Sequence, residues 1–195
     1  MDINVKVAVR CRPMSSKEVA RGCNNIVTIL QNSVNIKGTE SNQEDKTFTF
    51  DFAYDGSCTQ QQVYGDLGAP IVSQALDGFN GTIFAYGQTG SGKTFSMLGN
   101  EEHKGIIPQL NDALWLKIAE KMQAAEDLVK DTKSKVNAKC LVTVSFLEVY
   151  NEEIKDLLVP SDKKLNIRES PDLGIYVEGL AELVSTVSLG FLQFR

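Results

Sequence analysis

A glycine-rich loop between two apolar runs constrains this 195-residue chain more than any other feature. The stretch TIFAYGQTGSGKTFSMLG covers residues 82–99, and residues 87–94 fit the pattern G-x-x-x-x-G-K-[ST]. Glycines bound the apolar run TIFAY, which predicts a buried strand before the loop. A helix is predicted to begin at Lys93. A strand, a phosphate-type loop and a helix in this order indicate a layered α/β domain.

Each residue type in the loop has a physical reason to be in a phosphate site. Glycines adopt positive φ and let backbone N–H groups face an anion without an obstructing side chain. Lys93 is spaced to reach the β- and γ-phosphates, and the Thr94 hydroxyl to ligate the Mg²⁺ that bridges them. The predicted cofactors are therefore a nucleotide and Mg²⁺. The predicted site comprises Gly87, Gln88, Thr89, Gly90, Ser91, Gly92, Lys93 and Thr94.

The base and the hydrolytic groups are less evident from the residues. A GTPase would offer D-x-x-G and N-K-x-D-type strings, and neither occurs in these 195 residues, which favours ATP over GTP. Glu148, after the run LVTVSFL, is the positional candidate for a Walker B carboxylate. An exposed strand-end carboxylate is the favoured alternative for Glu148, because no wider acidic motif surrounds it. No catalytic residue is assigned.

Composition and charge limit the classes of partner and site that this chain is expected to have. The net charge of −5 argues against broad nucleic-acid binding. No apolar run approaches the roughly 20 residues needed to cross a bilayer, so no membrane insertion is expected. Charged residues interrupt the N-terminal segment where a signal peptide needs apolar residues, which favours the cytosol. The four cysteines form no C-x-x-C pair, so neither a zinc site nor a disulfide framework is predicted.

Residue periodicity divides the rest of the chain into short elements. Strands are predicted over residues 3–9, 47–54 and 139–150, small hairpin strands over 25–45, and two strands joined by a turn over 165–180. Helices are predicted over residues 59–79, from residue 107 onward, and over 152–158. Pro70 is expected to bend or restart the first of these helices.

Motifs along nearly the whole chain resemble the kinesin motor domain. Besides the glycine-rich loop, they are VAVRCRP, FTFDFAYD, GIIPQLNDALW, VSFLEVYNEEIKDLL and LNIRESPDLGIYVEGL. The resemblance implies a P-loop NTPase with a mixed central sheet flanked by helices, truncated after the fifth core strand. It further implies ATP hydrolysis coupled to movement along microtubules in the full domain, and a place in the cytoplasm on the cytoskeleton.

The resemblance also implies roles for individual residues. Arg10, Arg12 and Pro13 would frame the adenine, and Phe95 would pack beside it. An arginine guanidinium stacked on a purine is physically sensible, although strand-end arginines also serve solubility.

A second set of residues would meet tubulin. The resemblance places Lys163, Lys164 and Arg168 in the lobe that contacts the microtubule. The turn of this lobe carries Asp172 and Leu173, with Glu178 close behind, where family members often place basic residues. A solvated charged loop is therefore the alternative.

The resemblance also implies what these 195 residues lack. Residues 1–195 are expected to be an incomplete motor domain, because the family's N-x-x-S-S-R-S-H and D-L-A-G-x-E switches do not occur in them. Such a chain is expected to bind nucleotide and hydrolyse it very slowly. TIFAY would lie unpaired and exposed, since its two neighbouring strands in the family belong to the absent half, and stability would be marginal.

Two other functions stay open. One is a nucleotide-binding pseudo-motor or anchoring module that does not hydrolyse ATP. The other is a small P-loop phosphotransferase, which the ordered motifs and the lack of an arginine-rich lid disfavour.

Overall fold

The computed structural model describes residues 5–39, 43–132, 140–159, 161, 164–172 and 174–185. The chain divides into two units, Met1–Leu114 and Trp115–Arg195. Hydrogen-bonded strands in the described ranges form one three-stranded and four two-stranded sheets. Within the same ranges, no helix has both the length and the apolar composition that a membrane span requires.

The first unit contains two sheets. Strand β1 (Ala8–Arg10) pairs in parallel with β5 (Phe52–Tyr54). Strands β2 (Val27–Leu30), β3 (Ser33–Ile36) and β4 (Lys46–Thr49) form an antiparallel meander. The hairpin predicted over residues 25–45 is thereby confirmed in β2 and β3.

Two strand predictions in this unit need correction. The strand predicted over residues 3–9 is shorter than expected, since β1 begins at Ala8 and residues 1–4 lie outside the described ranges. The single strand predicted over residues 47–54 is wrong, because β4 and β5 belong to different sheets. The backbone N–H of Phe50 donates to Asn32, whereas that of Asp51 donates to Val7, so the chain changes hydrogen-bonding partner between these two residues.

The helix predicted over residues 59–79 forms in three segments. Helix α1 (Ser16–Ala20) precedes it, and α2 (Gln60–Val63) leads through a π-helical turn (Tyr64–Gly68) into α3 (Ala69–Leu76). Thr59 and Gln62 form a reciprocal capping box that fixes where α2 starts. Pro70 lies in the first turn of α3, where its missing N–H costs no helical hydrogen bond, so it restarts the helix as predicted.

The buried strand predicted for TIFAY is wrong. Residues 79–87 belong to no strand, and the side chains of Phe84 and Tyr86 are 80% and 95% exposed. A central strand needs neighbours for its backbone groups, and no strand in the described ranges pairs with this segment. The exposure agrees with the expectation that TIFAY lacks its neighbouring strands.

A small core holds the elements of the first unit around the glycine-rich loop. Its buried members are Tyr54 of β5, Val63 of α2 and Ile106, the first residue of α5 (Ile106–Thr132). Partly buried apolar residues pack against them: Ala8, Phe52, Cys58, Leu67, Ile83 and Met97. The Tyr54 hydroxyl donates to Asp66 at 3.0 Å, and burial together with that carboxylate raises the pKa of Tyr54. This core brings β1, α2 and the helix after the loop close together.

The second unit is built from antiparallel strand pairs. Strand β6 (Val142–Val144) pairs with β11 (Leu183–Ser185), β7 (Leu147–Tyr150) with β8 (Glu153–Asp156), and β9 (Asn166–Ser170) with β10 (Gly174–Glu178). The two strands predicted over residues 165–180 are confirmed as β9 and β10. The continuous strand predicted over residues 139–150 is wrong, because it divides between Val144 and Leu147 into strands of different sheets.

The helix predicted over residues 152–158 is also wrong, because these residues contribute β8 of a tight hairpin. Asn151 and Glu152 adopt φ values of +49° and +59°, as a two-residue turn with both central residues at positive φ requires. Asp156 then accepts hydrogen bonds from the backbone N–H groups of Ala181, Val159 and Leu158, which hold its pKa below the usual value, that of Ala181 most strongly. The spacing of apolar residues predicted a helix. The turn reverses the chain instead, so that β8 pairs with β7 in an antiparallel hairpin.

Candidate functional site

The glycine-rich loop has the backbone conformation that its sequence indicates. Gly90 and Gly92 have φ values of +79° and +101°, and Gly92 directly precedes α4 (Lys93–Met97). A residue other than glycine at either position would have to adopt this left-handed conformation, which costs roughly 1–2 kcal/mol. The backbone N–H of Ser91 donates to the carbonyl of Gln88 at 3.1 Å and closes the turn. The helix predicted to begin at Lys93 is confirmed.

Lys93 folds back onto the start of the loop. Its Nζ donates to the carbonyl oxygens of Gly87 and Gln88 at 2.7 and 3.0 Å. Since an ammonium group has three donors, these two bonds leave capacity for a further acceptor. Thr94 follows in the first turn of α4 with its side chain exposed. Lys93 and Thr94 therefore stand together at the end of the loop.

Arg12 ties the segment after β1 to the same loop. Its Nε donates to the carbonyl of Gly90 at 2.9 Å, and its two terminal nitrogens bind both oxygens of Glu18 at 2.7 and 2.8 Å. Glu18 also accepts from Ser15 in the capping box of α1. The hydrogen bonds from Arg12, and to a smaller extent those from Ser15, hold the pKa of Glu18 well below its usual value. The hydrogen bonds to Glu18 in turn raise the pKa of Arg12.

Arg10 is held differently, by a half-buried set of neutral acceptors. Its guanidinium donates to Gln60 Oε1 at 2.5 Å, to Ser96 Oγ at 3.1 Å and to the carbonyl of Cys58 at 3.2 Å. The guanidinium carbon lies 5.3 Å from the centre of the Phe95 ring, within cation–π range. Burial is the main reason that the pKa of Arg10 is lowered.

A cavity of about 300 Å³ opens beside these groups. The predicted site residues in its wall are Arg10, Arg12, Pro13, Ser91, Gly92 and Phe95. An adjoining cavity of about 480 Å³ shares the wall formed by Arg10, Arg12, Pro13 and Ser91, and Gln88 contributes to it. The structure thus gathers the predicted base-side residues and part of the loop around one recess. Five predicted loop residues line neither cavity: Gly87, Thr89, Gly90, Lys93 and Thr94.

Two contributors to this region went unrecognised in the sequence. Glu18 anchors Arg12, and Gln60 anchors Arg10. The S-x-x-E spacing of residues 15–18 is a capping-box signal that could have pointed to Glu18. Gln60 is the first of three consecutive glutamines at a helix start, and nothing in the sequence distinguishes the buried one from the others.

The predicted tubulin-facing cations carry acidic partners. Lys164 forms an ion pair with Glu153, and Arg168 Nε bonds Glu178 Oε2 at 3.1 Å. Lys163 lies outside the described residues. Glu148, the Walker B candidate, is an exposed residue of β7 directly opposite Lys155 of β8, as in its favoured alternative.

Comparison with known proteins identifies relatives along nearly the whole chain. The family model described as "Kinesin motor domain" matches residues 10–192. The kinesin-like protein Klp68D of Drosophila pseudoobscura pseudoobscura is 43% identical over 183 residues, which cover 90% of this chain and 21% of Klp68D. The chain therefore spans about a fifth of the length of that relative.

Solved structures give the same result for the fold. The structure of a fast kinesin matches with a TM-score of 0.80 and 33% identity, over 94% of this chain and 49% of the other. KIF14 with ADP in complex with a microtubule matches with a TM-score of 0.77 and 34% identity, over 95% of this chain and 51% of the other. The predicted kinesin-motor-like α/β fold is thereby confirmed. The chain belongs to the kinesin motor domain family.

Proposed function

We propose that this chain is the ATP-binding part of a microtubule-based motor. The observation that carries the proposal is the glycine-rich loop held by two cations. Lys93 engages the carbonyls of Gly87 and Gln88, and Arg12 engages that of Gly90. Carbonyl oxygens repel an anion, so their engagement by cations favours phosphate binding at this loop.

The residues present suit a nucleotide in charge and in shape. The backbone N–H groups of residues 87–94 and the ammonium of Lys93 would hold the phosphates, and the Thr94 hydroxyl would ligate Mg²⁺. Bound Mg²⁺ supplies neutralising charge between the β- and γ-phosphates. The cavity beside Arg10, Arg12, Pro13 and Phe95 offers guanidinium and ring surfaces on which adenine would stack.

Residues 1–195 are proposed to be one part of a larger motor domain. The solved kinesin chains are about twice as long as the segment that matches them, with 49% and 51% covered. The exposure of Phe84 and Tyr86 supports this, because an apolar segment of this kind is stabilised by strands on either side.

Microtubule binding is proposed for the lobe that runs from β7 to β10, through Lys163, Lys164 and Arg168. The support is that KIF14 is in complex with a microtubule in one of the similar structures. The alternative, a cytoplasmic anchoring module that binds nucleotide without hydrolysis, is separated from a motor by microtubule-stimulated ATP hydrolysis measured on the full-length protein.

The proposed nucleotide site is tested by equilibrium dialysis of ATP and Mg²⁺ against the 195-residue chain. Lys93→Ala should weaken binding by roughly 10- to 150-fold, because a hydrogen bond to a charged group contributes about 1.5–3 kcal/mol. Lys37→Ala, an exposed lysine of the first unit, is the matched control and should bind like the unsubstituted chain. Equal binding by Lys93→Ala, or no binding by the unsubstituted chain, would refute the proposal.

A further inference from the structure

Gln60 is a buried polar residue at the first position of α2, and only 7% of it is exposed. Its side-chain amide uses both of its ends. Oε1 accepts from Arg10 at 2.5 Å, and Nε2 donates to the backbone carbonyl of Phe95 at 2.5 Å. One amide group therefore joins the end of β1 to α4.

The orientation of this amide is fixed by chemistry. A guanidinium can only donate and a carbonyl can only accept, so Oε1 must face Arg10 and Nε2 must face Phe95. An apolar residue of similar size would leave a half-buried donor and a half-buried acceptor unpaired. No other uncharged side chain of this length supplies a donor and an acceptor on one rigid plane.

Gln60 bonds the guanidinium of Arg10 and the backbone carbonyl of Phe95, and its Nε2 also donates to the carbonyl oxygen of His103 at 3.5 Å. The guanidinium of Arg10 lies 5.3 Å from the ring centre of Phe95, and both residues line the cavity of about 300 Å³. Ser96, which lies on α4 together with Phe95, supplies through its Oγ a second side-chain acceptor for Arg10. Gln60 does not contact the glycine-rich loop in any described hydrogen bond, so its influence is directed to the base side.

We propose that Gln60 is a positioning residue for the purine-binding wall, which sets Arg10 against Phe95 so that both present flat surfaces to the base. This rests on the proposed function, since it assumes that the cavity receives the base of a nucleotide. The role belongs to the side chain alone, because the backbone carbonyl of Gln60 is occupied separately, by Gln109 Nε2 at 3.3 Å. A side-chain substitution therefore isolates it.

The test compares two ligands that share phosphates and differ in the base. ATP and inorganic tripolyphosphate are titrated, each with Mg²⁺, into the 195-residue chain and its variants. Gln60→Leu should weaken ATP binding by about 10-fold and leave tripolyphosphate binding unchanged within about two-fold. Gln61→Leu, an exposed neighbour on the same helix, is the matched control and should alter neither affinity.

The ratio of the two affinities distinguishes positioning from a merely structural role. A variant that is partly unfolded loses both ligands equally, so its ratio does not change. Ser96→Ala, which removes one acceptor from Arg10 and leaves Gln60 intact, should lower the ATP affinity by about two- to three-fold with tripolyphosphate unaffected.

Three outcomes would overturn the proposal. A ratio of ATP to tripolyphosphate affinity that is unchanged in Gln60→Leu contradicts the role of Gln60. ATP that binds the unsubstituted chain no more tightly than tripolyphosphate contradicts it too, and leaves the phosphate site standing. Failure of the unsubstituted chain to bind either ligand overturns the proposed function itself.

Discussion

Charged residues in two regions of the molecule were expected to meet a ligand, and the structure holds them in different ways. The cradle comprises residues 10–13, 58–60 and 87–96, and the lobe comprises β7 to β10. In the cradle, Lys93 bonds the carbonyl oxygens of Gly87 and Gln88, and Arg10 bonds a carbonyl, a buried amide and a hydroxyl. Arg12 is the exception in the cradle, because its guanidinium also pairs with the carboxylate of Glu18. In the lobe, Lys164 and Arg168 bind acidic side chains at the surface.

The partners of these cations determine how much charge each one can offer to a ligand. A cation that bonds neutral carbonyls keeps its full charge for an incoming anion. A cation paired with a carboxylate is largely neutralised, and exposed pairs of this kind contribute only about 0–1 kcal/mol to stability. The nucleotide hypothesis therefore rests on geometry, whereas the microtubule hypothesis for the lobe rests on charges that Glu153 and Glu178 offset.

After Lys93→Ala, the strongest loss of affinity in the cradle is predicted for Thr94. Thr94→Val removes the hydroxyl and keeps the side-chain shape, so the gain in ATP affinity on adding Mg²⁺ should fall by roughly 10- to 30-fold. Thr94→Ser keeps the hydroxyl and should retain most of the gain. Isothermal titration with and without Mg²⁺ measures it. A Mg²⁺ dependence that is unchanged in Thr94→Val would show that Thr94 is not the metal ligand.

A smaller effect is expected at the edge of the cradle, where Glu18 anchors Arg12. The folded-state pKa of Glu18 lies below its usual value of 4.5, so its contribution to stability is complete above that pH and is lost as the pH falls below it. Glu18→Gln should therefore lower the thermal midpoint at about pH 7, and the difference from the unsubstituted chain should shrink towards about pH 3.

The matched control for this pH dependence is Glu101→Gln, at an exposed glutamate of the same unit. Its thermal midpoint should follow that of the unsubstituted chain from neutral to acid pH. If the deficit of Glu18→Gln were the same at both ends of the pH range, the Arg12–Glu18 pair would not be the source of the stability.

The smallest effects are expected in the lobe. Arg168→Gln should leave the thermal midpoint nearly unchanged, because its ion pair is more than half exposed on both sides. Co-sedimentation with microtubules at low salt should show a loss of about two- to three-fold for Arg168→Gln and a gain of similar size for Glu178→Gln. A tenfold or larger loss in Arg168→Gln would show that ligand binding by the lobe depends on single cations as strongly as binding by the cradle.

Sequence predicted the parts of the fold whose hydrogen bonds are local. The loop and the start of α4 followed from glycines and the position of Lys93. The start of α2 followed from Thr59 and the apolar period after it, and the structure adds the capping box of Thr59 with Gln62. The strand expected at TIFAY failed because a strand depends on partners elsewhere in the chain, and none pairs with it in the described ranges. The sequence TIFAY shows that the segment is apolar, but it does not indicate which strands would pair with it.

The sequence predicted which residues lie near the loop, but not the hydrogen bonds that hold them. Arg10, Arg12 and Phe95 could be placed near the loop, but their hydrogen-bond partners could not. Gln60 reaches Arg10 and Phe95 only because β1, α2 and α4 pack on one core. The reversal at Asn151 and Glu152 was missed for a related reason, since positive φ at two non-glycine residues becomes favourable only once β7 and β8 pair.

Amide hydrogen exchange of the 195-residue chain with and without ATP and Mg²⁺ tests directly whether the glycine-rich loop is the ATP site. We expect slower exchange at residues 87–96 and 10–13 when the nucleotide is present, with residues 147–157 and 165–178 of the lobe unchanged. Exchange in the cradle that does not respond to nucleotide, or protection confined to the lobe, would contradict the assignment of the glycine-rich loop as the ATP site.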